Sequence, residues 1–498
     1  MYHCRPLVKK ISKIRSIIRR FYSSQAVISE LEQRGLISQI SNPKHQLIES
    51  LNNGTKIKLY CGVDPTASSV HLGNLVPMMV LLHFYIRGHD IVNIVGGATG
   101  QVGDPSGRTT ERSEMVQQER NNNVENISRQ LRRFFQNGKE YYLRKQQKKS
   151  KITDIKSDLN GGLGRHFVLN NLDWWKDVKM LDFLANYGKY IRVQQMLSRD
   201  SITSRLYATK NNQNMSDGLG FNEFTYQILQ AYDFFHLYSK EGVTIQVGGN
   251  DQWGNIVAGI DLIQKLNNKN NGLKQTKLGP YGITVPLLTT ANGTKFGKSA
   301  GNAIFIDPQM NTPFDLYQFF YNTLDEDVER FLKIFTLLPQ EEIESICEKH
   351  SLDRSKHLGQ SVLAKEVTEL IHGAKEAHDA EYISIVLFRN LSTNSSSSTI
   401  TVTTDINANT LIPILTKMGI LYKGQKEWDL LNLLVQIAKI SRKEAKRRIE
   451  QGSVSIGLQK GNVVKNNILP NAWNKHLLSG KLLILRLGKQ KVYPILMK

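Results

Sequence analysis

Residues 59–74 read LYCGVDPTASSVHLGN, an apolar run that ends in Gly-Val-Asp-Pro-Thr and reopens on His-Leu-Gly-Asn. The run IKLYCGV (57–63) has the length and apolar content of a buried strand. HLGNLVPMMVLLHFYIRG (71–88) carries apolar residues at helical spacing, with Pro77 expected near its first turns. Working outward, DIVNIVGG (90–97) and GVTIQVGG (242–249) read as further buried strands, and WGNIVAGIDLIQKL (253–266) as a helix. Strand, helix and strand, with glycines at the strand carboxyl ends, predict an α/β fold built on a doubly wound parallel sheet. Ligands of such sheets sit beyond the strand carboxyl ends. The opening stretch has glycines and a helix N-terminus, the parts that cradle phosphate. It has neither the Gly-x-x-x-x-Gly-Lys-Ser/Thr of a P-loop nor the Gly-x-Gly-x-x-Gly of a dinucleotide fold.

The chain has 498 residues, enough for two to four domains with their own cores. Lys and Arg outnumber Asp and Glu by 65 to 44, a formal charge of +21. That excess favours a polyanionic partner, nucleic acid above all. No run approaches eighteen apolar residues, so membrane insertion is not expected. Cys4, Cys61 and Cys347 lie far apart and form no Cys-x-x-Cys pair, which argues against a structural metal and against a disulfide scaffold.

The first 25 residues hold Arg5, Lys9, Lys10, Lys13, Arg15, Arg19 and Arg20 and no acid. On a helical wheel Ile11, Ile14, Ile17, Ile18 and Phe21 share one face, with most of the basic residues opposite. A basic surface helix would show the same pattern. An amphipathic, Arg-rich, acid-free start is also what a mitochondrial transit peptide requires, and import into the mitochondrial matrix is the expectation taken here. The stretch RRFYSS (19–24) looks like a processing site with cleavage after Tyr22. The rest of the chain stays strongly basic without this segment.

Polar stretches at 144–164, 209–218 and 267–277 cannot bury apolar area and read as surface loops. From about 312 to 392 the pattern is all-helical, and NLSTNSSSSTITVTT (390–404) reads as an exposed linker. A compact module with helices followed by strands begins near 428. The expected organisation is therefore a leader over 1–25, a sheet domain over 26–311, a helical domain over 312–427 and a small α+β module over 428–498.

Three constellations carry chemistry. His71 and Asn74 stand at the start of a helix, close to the unpaired N–H groups of its first turn, a place that suits an anion and an attacked phosphorus. A histidine there can equally well serve as a helix cap. The glycine-rich GGATGQVGDPSGRTTER (96–112) follows a strand and allows close backbone approach to a ligand, with Arg108 and Arg112 at its end. In TKFGKS (294–299), Lys295 and Lys298 flank a glycine, and two flexible cations can follow charge onto a leaving pyrophosphate. A Lys-x-x-Lys pair alone is weak evidence in so basic a chain; its place after the two other elements gives it weight.

In this order the segments resemble the class I aminoacyl-tRNA synthetases, and within them the bacterial and mitochondrial tyrosyl-tRNA synthetase family. HLGN (71–74) is similar to the family's His-Ile-Gly-His and KFGKS (295–299) to its Lys-Met-Ser-Lys-Ser. The longer matches are YCGVDPTASSVHLG (60–73), GGATGQVGDPSG (96–107), FTYQILQAYDF (224–234) and GGNDQWGNI (248–256), and the likeness spans most of 30–498. The resemblance implies that tyrosine and ATP give tyrosyl-adenylate and pyrophosphate, and that the tyrosyl group passes to the 3′ end of tRNA. The substrate carboxylate is then the nucleophile, and catalysis is placement and charge stabilisation. It further implies that Tyr60 and Asp233 meet the phenol hydroxyl, that Asp104, Tyr226 and Gln230 hold the ammonium group, and that Thr99 and Gln246 line the pocket. Tyr226, Gln230 and Asp233 fall at i, i+4 and i+7, one face of a helix. Asp64, Thr66, His71, Asn74, Gly249, Asp251 and Gln252 resemble contacts to ATP. Arg108, Arg112, Lys295 and Lys298 resemble mobile groups that bind pyrophosphate. ATP is a substrate that carries its own Mg2+, and the family works as a homodimer with its contact near 180–200.

The sequence departs from the pattern in three places. Asn74 replaces the second His but can still donate a hydrogen bond. Gly297 stands where the class has Ser, and QQML (194–197) replaces Val-Asn-x-Met-Leu. Near the end, ISRKEAKRRIEQGSVSIG (440–457) sets Arg442, Lys443, Lys446, Arg447 and Arg448 on a short helix before a strand, and resembles an S4 RNA-binding domain, as does LGKQKVY (487–493). Ile456 stands where that domain usually has Asn. The implied partners are L-tyrosine and mitochondrial tRNA(Tyr). Two other readings stay open at this point: a tryptophanyl-tRNA synthetase, and an additional RNA-binding role in intron splicing carried by the insertion at 144–164.

Overall fold

The computed structural model describes residues 27–106, 115–150, 162–199, 202–203, 206, 219–269, 278–289, 304–388, 406–458, 462–470, 472–488 and 491–498. The basic leader over 1–25, Arg108, Arg112, Lys295, Gly297, Lys298 and the polar stretch 209–218 lie outside them.

The described residues fall into two compact units. The first takes the described residues up to Asp307 together with Thr323–Leu363. Its sheet has the order β1-β6-β5-β2-β3-β4, from β1 (Gln39–Ile40), β2 (Lys58–Val63), β3 (Asp90–Val95), β4 (His166–Asn170), β5 (Ile245–Gly249) and β6 (Tyr281–Val285). All neighbouring pairs are parallel except β1 with β6. The expected doubly wound sheet is present, with β2 at its centre. β3 is buried at every position, which is why it reads as an unbroken apolar run rather than as an alternation. The edge strands β1 and β4 escaped the sequence reading: one is two residues long, the other half-buried throughout, so neither shows a long apolar run.

Helix α1 (Leu72–Tyr85) follows β2 and is buried almost all round, packed against the sheet. Pro77 falls in its second turn, which removes the N–H that would reach the Gly73 carbonyl. Helix α2 (Gln117–Ser150) runs for 34 residues. It absorbs 144–150, expected in a surface loop, because Ile127, Leu131, Phe134, Phe135, Tyr141 and Tyr142 recur as a buried helical stripe and carry the polar end with them. Helices α3 (Phe221–His236) and α4 (Trp253–Lys269) pack on each other, and α4 likewise takes in 267–269 from a stretch read as loop. Helix α5 (Asp325–Phe335) belongs to this unit too. The buried Arg34 donates to the carbonyls of Lys333, Thr336 and Leu338 at 3.1, 3.1 and 2.5 Å, capping the C-terminal end of α5.

The second unit comprises Pro308–Asn322 and the described residues from Ala364 onward. Helix 313–321 packs on α6 (Ala374–Phe388) through a stacked Phe314–Phe388 pair and a Gln318 to Ser384 hydrogen bond of 2.9 Å. A five-stranded sheet follows in the order β7-β11-β10-β8-β9, from β7 (Tyr422–Gly424), β8 (Val454–Ile456), β9 (Val463–Val464), β10 (Leu482–Leu487) and β11 (Lys491–Met497). Helices α7 (Leu430–Ala438) and α8 (Arg442–Glu450) bury Leu430, Leu433, Leu434, Ala445 and Ile449 against one face of it, around Trp473. Arg486 on β10 is buried and donates to the carbonyls of Leu387, Leu458 and Gly457, which ties the sheet to the end of α6.

Candidate active site

The carboxyl ends of β2 and β5, the loop after β3 and the inner face of α3 surround a cavity of about 650 Å3. Tyr60, Asp64, Thr66, His71, Asn74, Thr99, Asp104, Tyr226, Gln230, Asp233, Gln246, Gly249, Asp251 and Gln252 all line it. The sequence places these residues in four separate segments, and the sheet brings them together. Gly96 is needed where it stands, because a Cβ there would overlap the side chains of Asp64 and Thr99.

At the mouth of α1, His71 Nδ1 accepts from the Gly73 N–H at 3.1 Å, and Asn74 Oδ1 accepts from the His71 N–H at 3.3 Å. This is a reciprocal capping box made from the two signature side chains. Capping and ligand binding are compatible here. With Asn74 Oδ1 engaged by the backbone, the amide hydrogens are what its side chain offers, as a donor replacing the usual second histidine.

Asp64 Oδ1 accepts from the Thr99 hydroxyl and Oδ2 from the Tyr226 hydroxyl, both at 2.8 Å. Asp104 accepts from the Ser106 N–H at 2.9 Å and from Gln252 Nε2 at 2.7 Å. Asn255 Nδ2 donates to Gln230 Oε1 at 3.1 Å. These hydrogen bonds fix the orientation of both carboxylates on the cavity lining.

The deepest acid is Asp233. Its Oδ1 accepts from the indole N–H groups of Trp174 and Trp175 at 2.8 and 2.7 Å, and its Oδ2 from Asn171 Nδ2 at 3.0 Å. Burial pushes its carboxyl up to about 7, against the pull of these three donors. The Tyr60 ring packs on Phe234, and its buried hydroxyl has no hydrogen-bond partner among the described residues. Burial and then the charge of Asp233 raise the Tyr60 phenol. A carboxylate has about four lone-pair sites and three are used, so one remains on Oδ2 for a ligand hydroxyl.

Asn171, Trp174 and Trp175 were not among the residues expected to matter. The available signal was NNLDWW (170–175), whose two adjacent indoles each need an acceptor when covered. Asn171 also donates to Thr99 Oγ1 at 3.0 Å and accepts from the Ala98 N–H at 2.8 Å, so it joins the loop after β3 to α3.

Cys61 also borders the cavity, but burial pushes its thiol up to about 12, which removes it as a nucleophile. Among the described residues that line the cavity none is a lysine or arginine. Arg108, Arg112, Lys295 and Lys298, the cations singled out in the sequence, lie outside the described residues. Among the described residues no group of three or more His, Cys, Asp or Glu is placed to hold a metal ion.

Parallel strands that end on a cavity, a capped His-x-Gly-Asn helix and a buried acid on α3 form a ligand site of the kind α/β enzymes build beyond their strand carboxyl ends. Residues 52–389 match the family model for tRNA synthetases of class I (W and Y), and the chain belongs to that family. Over nearly its whole length it is similar to tyrosyl members. The mitochondrial tyrosine–tRNA ligase of Saccharomyces cerevisiae is 53% identical over 478 residues, 95% of this chain and 89% of that one. The tyrosine–tRNA ligase of Limosilactobacillus reuteri is 36% identical, over 94% of this chain and 98% of that one. Among solved structures, a C-terminally truncated mitochondrial tyrosyl-tRNA synthetase of Aspergillus nidulans is similar with a TM-score of 0.62 and 36% identity, covering 73% of this chain and 94% of that one. The corresponding Coccidioides posadasii structure gives 0.60 and 32%, covering 76% and 98%.

Proposed function

We propose that the chain activates L-tyrosine with ATP and transfers it to mitochondrial tRNA(Tyr). The observation that carries this reading is that the buried Tyr60 hydroxyl and Asp233 carboxylate line one cavity, each with hydrogen-bonding capacity unused among the described residues. That combination suits a phenol hydroxyl, which can donate to Asp233 and accept from Tyr60. An indole has a donor alone and would leave Tyr60 without its partner, so the site favours tyrosine over tryptophan.

In this reading Asp104, Tyr226 and Gln230 hold the ammonium group, Thr99 and Gln246 border the amino acid, and the tyrosine carboxylate attacks the α-phosphorus. Asp64, Thr66, Gly249, Asp251 and Gln252 hold the nucleoside side of ATP, which enters as its Mg2+ complex. His71 and Asn74 stabilise charge on the attacked phosphate. Arg108, Arg112, Lys295 and Lys298 follow the departing pyrophosphate. No side chain becomes covalently attached, so rate comes from alignment and preorganised donors.

Arg442, Lys443, Lys446, Arg447 and Arg448 would contact tRNA phosphates. The first three and Arg447 are exposed, and Glu444 holds Arg447 at 2.8 Å and Arg448 at 2.6 Å in a fixed array. The division of labour follows the expected segments: a sheet domain (26–311) for activation, with the helical part (312–427) and the terminal module (428–498) for tRNA. A homodimer is supported by Met180, Leu181 and Val193, which expose 68, 79 and 60% of their surface in the stretch where the family's contact is expected. The basic leader supports import into the mitochondrial matrix and removal of the first two dozen residues.

Charging tests the proposal. Purified protein, ATP and a tRNA(Tyr) transcript should yield acid-precipitable labelled tyrosine, and no product with labelled tryptophan. Charging with tryptophan in place of tyrosine would overturn it.

A further inference from the structure

We propose that Tyr422 and Tyr493 form a stacking platform for an unpaired base of an RNA held by α8. The proposal rests on the reading of the terminal module as RNA-binding, and adds to it a site for a base where the basic helix offers contacts to phosphates.

Tyr422 lies on β7, the edge strand, and pairs in register with Ile495 of β11. Along β11 the residues on the face covered by the helices are Tyr493, Ile495 and Met497; the last two are buried, and Tyr493 is partly so. Tyr422 therefore continues that face past the point where the helices cover it. The two rings meet edge to face, with centroids 5.4 Å apart at 66°. Tyr493 is held by its neighbours, whereas Tyr422 keeps 39% of its surface open.

A single exposed tyrosine needs no explanation. The neighbourhood of this one is different. Arg448 of α8 lies near enough to Tyr493 for its charge to act on the phenol. Glu444 fixes the Arg448 guanidinium through Nε at 2.6 Å. An aromatic pair with an arginine near enough to act on it joins the two parts by which single-stranded RNA is held, a π-face for a base and a cation for the adjoining phosphate. Bases inside a duplex are stacked on one another and present no free face, so the occupant is a single-stranded nucleotide.

Binding of a tRNA(Tyr) transcript by the full-length protein tests this, with a fully paired RNA of similar length as the second probe. Tyr422→Ala should weaken tRNA binding about tenfold, the scale of one lost base stack. The slope of affinity against salt should stay unchanged, since no phosphate contact is lost. Tyr422→Phe should bind as the parent does, and the paired RNA should not distinguish any of the three. Unchanged tRNA affinity in Tyr422→Ala, or an equal loss in Tyr422→Phe, overturns the platform. Substituting Lys443→Glu and Lys446→Glu together separates the two levels. Unchanged tRNA affinity in that variant would overturn RNA binding by the module itself.

Discussion

The indole N–H of Trp175 donates to Asp233 Oδ1 at 2.7 Å, on the same oxygen that Trp174 uses. Two donors on Oδ1 and Asn171 on Oδ2 hold the carboxylate in one orientation, so its remaining acceptor site faces a fixed direction. Tyr60 lines the same cavity, near enough for the charge of Asp233 to raise its phenol, so the pocket holds an acceptor and a hydroxyl for a phenol to meet.

Removing the acid should therefore cost more than one hydrogen bond. In Asp233→Asn the new amide would turn a donor toward Trp174 and Trp175 or toward Asn171. Loss of a charge-assisted bond of about 2 kcal/mol together with such a clash predicts a fall of at least roughly hundredfold in kcat/KM for tyrosine. Trp175→Phe keeps the ring packing against Tyr232 and Phe183 and removes only the donor. It should lower discrimination between tyrosine and phenylalanine while leaving the KM for ATP alone. Steady-state exchange kinetics on both variants check this.

Burial raises Asp233 to about 7, above the ordinary value for a free carboxyl, so the sign of the pH effect follows. Below that pH the folded protein holds an extra proton on this acid, and the acceptor site for the phenol is lost. Tyrosine affinity should fall as the pH drops from 8 toward 6. Stability should move the other way: the folded state binds the proton more tightly than the unfolded chain, so this group destabilises increasingly as pH rises from about 4 to 7 and adds nothing further above it. Calorimetric titration with tyrosine across this range, repeated on Asp233→Asn, should show the affinity trend in the parent and lose it in the variant.

His71 caps α1, and in the proposed reaction it would also donate toward the nucleotide. Losing an N-cap costs about 1 kcal/mol of stability, whereas losing a transition-state donor costs roughly 10²–10³ in rate. His71→Asn, with a side chain that caps well, should restore the melting temperature relative to His71→Ala but not the rate of adenylate formation. Thermal melts with single-turnover adenylate formation separate the two.

Strands β2, β3 and β5 were legible because central parallel strands are buried on both faces, and their glycine ends pointed to the right rim of the sheet. β4 was not, since an edge strand of half-buried residues after a polar insertion carries no such run. The helical extent of 144–150 was missed for a related reason: local polarity says loop, while the buried stripe from Ile127 to Tyr142 decides the helix. In the site, the motifs had marked residues from four segments that the sheet gathers around one cavity. Asn171 and Trp175 were not marked, because they act on Asp233 from 62 and 58 positions away in sequence.

Lys298→Ala should slow adenylate formation far more than it weakens tyrosine binding, since the lysine would meet charge that develops as pyrophosphate leaves. Pre-steady-state rates and equilibrium tyrosine affinity on one preparation check the split. A chain ended after Phe388, which avoids separating β7 from β11, should keep pyrophosphate exchange and lose most aminoacylation.

Amino-acid-dependent ATP–pyrophosphate exchange by the purified full chain probes the joint action of Tyr60 and Asp233 on a phenol without involving tRNA. The structure predicts rapid exchange with tyrosine and, at equal concentration, little with phenylalanine or tryptophan, with the preference collapsing in Asp233→Asn. Exchange as fast with tryptophan or phenylalanine as with tyrosine, or a preference that survives in Asp233→Asn, would contradict it.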